Sequence, residues 1–193
     1  MRLDVLNRGY GPGTRMLFAL IRLFSRHPVP DAAKLVFYRP DFYGSRAKEF
    51  THEAMRGPSA WSVGDRELMA AYVSQANESA FCIGAHSATA RQAYQDGPRV
   101  AAVLTDLESA PVEPGLRATL RMLGKLTREG KVDAADMRQV LSAGVSRQQV
   151  EDALAVCAAF NTTNRLADAF GFEVLSSEDF EAGAKYLLKR GYR

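Results

Sequence analysis

ELMAAYVSQANESAFCIGAHSA, Glu67 to Ala88, reads as two helices with a break between them. Before the break, Leu68, Met69, Tyr72, Val73 and Ala76 recur at helical spacing, and Ser62 or Asp65 is placed to cap that helix. Asn77-Glu78-Ser79 interrupts the pattern, and a second helix then carries Cys82 and His86. Four residues apart, these two share a helix face, and Ser79 falls on that face one turn earlier. If 66–76 and 79–94 fold back as an antiparallel hairpin, Glu67 sits about ten residues before the bend, at roughly 1.5 Å of rise per residue. That places it beside His86.

Working outward, the same period recurs and no stretch alternates with the period of two that a strand needs. Residues 14–26 read as an amphipathic helix closed by HPVP. Asp31 opens a short apolar helix, AAKLVFY, which Pro40 stops, and FYGSRAKEFTHEAMR continues helical to Gly57-Pro58. Gly97-Pro98 is expected to end the Cys82 helix. Further helices are expected at 99–109, 114–128, 133–143, 146–170 and, after the short FEVL segment, 177–190. The fold class is all-α, with 1–60 as an N-terminal helical arm and 61–193 as the core domain. The glycine-rich NRGYGPGT at 7–14 follows no strand and lacks the Gly-Lys-Ser/Thr of a phosphate loop, so it reads as a flexible entry loop.

Composition narrows the partners. The 193-residue chain is 47% hydrophobic and 24% charged, ordinary values for a globular protein, and its net charge is +3. Residues 1–60 hold 10 Lys/Arg against 5 Asp/Glu, so the arm is basic and the remainder slightly acidic. That asymmetry suits a solvated or subunit-clasping arm better than a nucleic-acid patch. Two cysteines do not make a disulfide scaffold, so a reducing cytoplasm is the expected compartment. MLFALIRLF at 16–24 is broken by Arg22 and too short to span a bilayer, and no small-residue cleavage site follows it. Neither membrane nor nucleic acid is expected as a partner. AADMRQVLSAGVSRQQVEDALAV has a helix-turn-helix look, but Glu151 and Asp152 follow directly on Arg147, Gln148 and Gln149 where a DNA reader needs basic or amide side chains.

The chemistry rests on Cys82. A thiolate is stabilised by a helix N-terminus or a nearby cation, and Cys82 lies in the first turn after a cap at Asn77 or Ser79. His86 is placed to take or return a proton, and a relay Glu67–His86–Cys82, direct or through a water, is sterically reasonable. The same spacing also fits a packed, inert cysteine. One Cys, one His and one Glu make a poor zinc site, so no metal and no cofactor are expected. Cys157, in the apolar EDALAVCAAF, reads as a small core residue. Asn161, Asn164 and Arg165 form a polar stripe suited to bonds between helices. His52 and Trp61 show no partner pattern.

Glu67, Ser79, Cys82 and His86 occupy, in register, the four positions of the signature of the AhpD-like alkylhydroperoxidase and carboxymuconolactone decarboxylase superfamily. That signature is Glu, eleven residues, Cys-x-x-Cys, three residues, His. AAFNTTNRLADAFG at 158–171 resembles the Phe-Asn-x-x-Asn-Arg helix of the peroxidase-related branch, and LTREGKVDAADMRQVLSAGVSRQQVEDAL resembles the segment leading into it. The resemblance spans about 60–172 and gives the helix-turn-helix residues a place in that fold. It implies a homo-oligomer of trimers or higher multiples, with the site near a subunit interface. It also implies reduction of a small-molecule peroxide at the expense of a thiol reductant, with Cys82 as the attacking thiol and Glu67 and His86 as a proton relay.

The departure is at Ser79, which stands where the family has its first cysteine. A hydroxyl cannot replace a thiol in disulfide exchange. A one-cysteine cycle with an external thiol, resolution by Cys157, or a site that has left peroxide chemistry are the three outcomes. The competing functions are a cofactor-free lyase or isomerase of the decarboxylase kind, in which the cysteine is incidental, and a non-catalytic helical oligomer.

Overall fold

Ser62 turns the chain into the helix that organises the molecule. The computed structural model describes residues 4–192, Phe42 among them by its backbone alone; residue 193 of the core domain and residues 1–3 of the arm lie outside. The Ser62 hydroxyl accepts the N–H of Asp65 at 3.0 Å, and the Asp65 carboxylate accepts the N–H of Ser62 at 2.9 Å. This reciprocal cap stabilises the helix start by about 1 kcal/mol. Helix α5 then runs Val63–Ala76, and after a tight break α6 runs Ala80–Tyr94. In the break Glu78 takes φ 58°, and the N–H of Ser79 returns to the carbonyl of Ser74 at 3.0 Å. Short side chains at Ala70, Ala71, Ala88 and Ala90, all fully buried, let the hairpin close.

Around it lie α1 (Val5–Arg8), α2 (Pro12–Ser25), α3 (Asp31–Tyr38) and α4 (Ser45–Arg56) on the N-terminal side. The C-terminal side holds α7 (Gly97–Thr105), α8 (Pro114–Glu129), α9 (Ala134–Ser142), α10 (Arg147–Phe170) and α11 (Ser177–Arg190). No strand occurs among the described residues, and the architecture is all-α as expected. No described helix is long and apolar enough to cross a membrane.

Three local readings differ from expectation. Pro40 ends α3 but opens a single π-helical turn, Pro40–Gly44, that leads straight into α4. Gly97-Pro98 does not end α6. Gln95 does that in the left-handed conformation, and Pro98 sits in the first turn of α7, where a proline's missing N–H is no loss. The 7–14 stretch is not a loop throughout, since Asn7 and Arg8 belong to α1 and Pro12-Gly13-Thr14 form the first turn of α2. In the helix-turn-helix look-alike, Gln149 closes a capping box with Ser146 and Gln148 donates to Asp152, while Val150 and Ala153 are buried.

The interior has two apolar clusters. The larger joins α4, α5 and α7 to α10 around Met55, Leu68, Met69, Leu120, Leu123 and Phe160. The smaller gathers Leu6, Leu35, Phe81, Cys82, Phe172 and Phe180 under α1, α3, α6 and α11. Gly84 permits the second of these, because a Cβ there would stand 2.5 Å from the Phe180 ring. The α6 and α11 helices thus meet at a point only glycine allows. Residues N-terminal to position 60 are divided in their packing. Helix α4 buries Ala54 and Met55 in the large cluster, and Asp31 accepts the N–H of Glu173 at 2.9 Å. Helix α2 buries none of its residues.

Candidate active site

A carboxylate with no solvent contact needs its partners supplied by the fold. Glu67, on the first turns of α5, is fully buried. The hairpin brings His86 of α6 against it, with His86 Nδ1 2.7 Å from Glu67 Oε2. Two further groups, which the sequence did not single out, complete the carboxylate's surroundings. Arg56, the last residue of α4, donates from Nη2 to Glu67 Oε1 at 2.6 Å. The Tyr192 hydroxyl, from the turn after α11, donates to the same oxygen at 2.9 Å. The guanidinium also lies over the Tyr192 ring, 5.1 Å from its centroid. On the other side the His86 ring meets the edge of Phe160 at 4.3 Å between centroids.

Burial alone would push the Glu67 carboxyl up, yet hydrogen bonds and charge from His86 and Arg56 outweigh it and hold the carboxyl below its ordinary range. Burial and the neighbouring Glu67 charge push the Tyr192 phenol well above its ordinary value, so it stays a donor. An ionised carboxylate only accepts hydrogen bonds. Facing it, Nδ1 of His86 carries the hydrogen, and in the neutral ring the lone pair then sits on Nε2. The dyad can therefore take a proton at Nε2 and hold the resulting cation against Glu67.

Cys82 is in the first turn of α6, as expected, but it is 1% exposed and packed in the smaller apolar cluster. Burial pushes its thiol up to about 12; the nearby Ser79 side chain works against this, and the charge of Asp168 adds to it. The activating effect expected of the helix N-terminus is thus outweighed in this closed arrangement. No hydrogen bond joins Cys82 to His86 among the described residues. The structure brings Glu67 and His86 together and leaves the sulfur one helical turn away on the same face.

Ser79 occupies the N-cap position of α6 without capping it. Its hydroxyl donates instead to Asp168 Oδ1 of α10 at 2.9 Å. Cys157 belongs to the other apolar cluster, its sulfur 3.2 Å from Asn161 Nδ2 and 3.6 Å from Thr127 Oγ1, and burial pushes its thiol up. Both cysteines are free. The polar stripe on α10 bonds between helices: Asn161 accepts from Asn77 at 3.0 Å and Asn164 accepts from Ser74 at 3.0 Å, while Arg165 is exposed. Trp61 donates to the Gln149 carbonyl at 2.7 Å, and His52 Nδ1 accepts the N–H of Tyr192 at 3.2 Å. No group of three or more His, Cys, Asp or Glu side chains arranged to hold a metal occurs among the described residues.

The all-helical fold and the sequence that carries this buried Glu–His pair both have counterparts among known proteins. Residues 43–125 match the family model described as the carboxymuconolactone decarboxylase family. A solved structure of an uncharacterized peroxidase-related protein from Silicibacter sp. TM1040 superposes with a TM-score of 0.78 at 24% identity, over 93% of this chain and 94% of that one. A second, described as an alkylhydroperoxidase AhpD core and uncharacterized peroxidase-related protein from Ralstonia eutropha JMP134, gives 0.72 at 25% identity, over 90% of each chain. Comparison with the curated proteins finds no match. Residues 43–125 thus carry the likeness to the carboxymuconolactone decarboxylase family, and the fold is shared with these peroxidase-related proteins.

Proposed function

We propose that the protein reduces organic hydroperoxides with a single cysteine, Cys82, and an external thiol. The observation that carries this reading is the 2.7 Å pairing of Glu67 with His86, one helical turn from Cys82. His86 Nε2 takes the thiol proton. The thiolate attacks the distal peroxide oxygen, the O–O bond breaks, and the alkoxide leaves with the proton returned from His86. Cys82 is then a sulfenic acid. A first external thiol forms a mixed disulfide with release of water, and a second thiol restores Cys82 and leaves as the oxidised pair. Ser79 cannot resolve the sulfenic acid, and Cys157 sits in a different apolar cluster, so the external thiol is the reductant. Because Cys82 is buried, reaction proceeds from a state in which the smaller cluster has opened.

One observation favours a second reading. Glu67 and His86 form a complete acid–base pair that makes no hydrogen bond to Cys82, which suits a cofactor-free lyase of the decarboxylase kind. We also infer a homo-oligomer, supported by the exposed apolar residues of α2.

Reduced protein treated with cumene hydroperoxide for one turnover, with a sulfenic-acid trap and intact mass analysis, tests the first reading. The expected product carries one added oxygen on Cys82 and is absent from Cys82→Ser. Oxidation no faster than that of a free thiol overturns it, and proton exchange on a lactone substrate that survives Cys82→Ser selects the second.

A further inference from the structure

Oxygen Oε1 of Glu67 is occupied twice, by the Arg56 guanidinium at 2.6 Å and the Tyr192 hydroxyl at 2.9 Å, so only Oε2 is open to His86. We infer that Arg56 and Tyr192 are positioning residues that saturate Glu67 Oε1, balance its charge, and thereby hold His86 neutral with its lone pair on Nε2.

The charge argument comes first. A buried carboxylate facing an imidazole alone stabilises the imidazolium and removes the lone pair a general base needs. Arg56 is the counter-ion that relieves His86 of this duty. It is itself fixed, donating from Nη1 to the Met55 carbonyl at 2.8 Å. Among the described residues, Glu67 of α5, Arg56 of α4 and Tyr192 beyond α11 are the charged and titratable groups of this cluster, with Cys82 one turn away on α6 itself, and α10 presents the Phe160 ring. The Tyr192 hydroxyl is 3.4 Å from His86 Nδ1, but its hydrogen goes to Glu67, and Nδ1 has no lone pair to offer it.

The chain's C-terminal turn is shaped to deliver Tyr192. Gly191 takes φ +68°, and a Cβ there would stand 2.7 Å from the His52 ring. That close approach lets the Tyr192 N–H reach His52 Nδ1 at 3.2 Å, which anchors the turn while the phenol enters the site.

The catalytic use of this arrangement rests on the peroxidase reading, but the protonation state of His86 is measurable without turnover. The chain has three histidines, so long-range 1H–15N spectra of His-labelled protein resolve each ring, with His86→Gln supplying the assignment. Native protein at pH 7.5 is expected to show His86 with hydrogen on Nδ1 and a bare Nε2. In Arg56→Met the doubly protonated ring persists to higher pH, its midpoint raised by about one pH unit or more, and Arg56→Lys restores the native midpoint. Tyr192→Phe moves it the same way by a smaller step and serves if Arg56→Met does not fold. An Nε2–H tautomer in native protein overturns the inference, as does a midpoint unmoved in Tyr192→Phe and in folded Arg56→Met. If the spectra behave as expected and no hydroperoxide is reduced, the peroxidase reading fails and this one stands.

Discussion

The Ser79 hydroxyl donates to Asp168 Oδ1 at 2.9 Å, joining the break between α5 and α6 to the C-terminal half of α10. Ser79 is fully buried, and it stands at the position of the first cysteine in the signature that the sequence resembles. The hydroxyl makes a structural tie where a thiol would offer disulfide exchange. The tie also sets an acidic side chain near Cys82 and keeps a hydroxyl in reach of its sulfur, two effects of opposite sign on the thiol.

Ser79→Cys restores a Cys-x-x-Cys pair and removes the tie to Asp168. Peroxide oxidation of this variant is expected to end in a disulfide between the introduced sulfur and Cys82, read by intact mass as the loss of two hydrogens. Unfolding should show a loss of about 1 kcal/mol for the missing hydrogen bond. A persistent sulfenic acid in the variant means that the two sulfurs do not meet.

Asp168→Asn removes a negative charge that raises the Cys82 thiol. The thiolate fraction at a fixed pH of about 9 rises, and alkylation of native protein should quicken by about two- to fivefold. Burial is the larger cause of the raised value, so the rate should remain far below that of a free thiol. Equal rates in the two proteins mean that opening of the apolar cluster, rather than ionisation, limits access to Cys82.

The hairpin was legible because its signals are local. Helical spacing gave α5 and α6, Asn77-Glu78-Ser79 gave the break, and the rise per residue brought Glu67 opposite His86. Arg56 and Tyr192 were not legible. They lie 11 and 125 residues from Glu67, and only the packing of α4 and α11 against α5 and α6 brings them to it. Gly97-Pro98 misled because glycine and proline punctuate both ends of helices, and here the proline begins one. The thiol misled for another reason. A position in the first turn is a sequence property, whereas the burial that opposes it depends on Leu6, Phe172 and Phe180, from distant parts of the chain.

Glu67→Gln leaves the part-buried Arg56 without its anion, which is expected to lower stability by about 3 kcal/mol at pH 7. The pH dependence carries a second signature. Because Glu67 is held below its ordinary value of 4.5, its contribution is fully present above that value and is lost as pH falls through the lower, folded one. The gap between native protein and Glu67→Gln should therefore be constant from about pH 5.5 upward and narrow on acidification. Thermal unfolding midpoints at a series of pH values measure it. A gap that widens in acid means that Glu67 enters the folded state protonated.

Helix α2 presents Leu23 at 70% and Phe24 at 82% exposure, with Met16 and Leu20 on the same side and Arg15 and Arg22 on the other. A 14-residue helix with no buried face is marginal in water by itself, since helices of this length draw most of their stability from packing. An exposed apolar stripe of this kind marks a contact surface, and covering one Leu or Phe side chain contributes about 1.5–3 kcal/mol. With the arm clasping a neighbouring subunit, Leu20→Glu together with Phe24→Glu should lower the particle mass measured by light scattering. The smaller species should keep the helical content of the native chain, because neither side chain belongs to either apolar cluster. An unchanged mass removes α2 from the subunit interface and returns the oligomer, if one forms, to contacts made by the core helices.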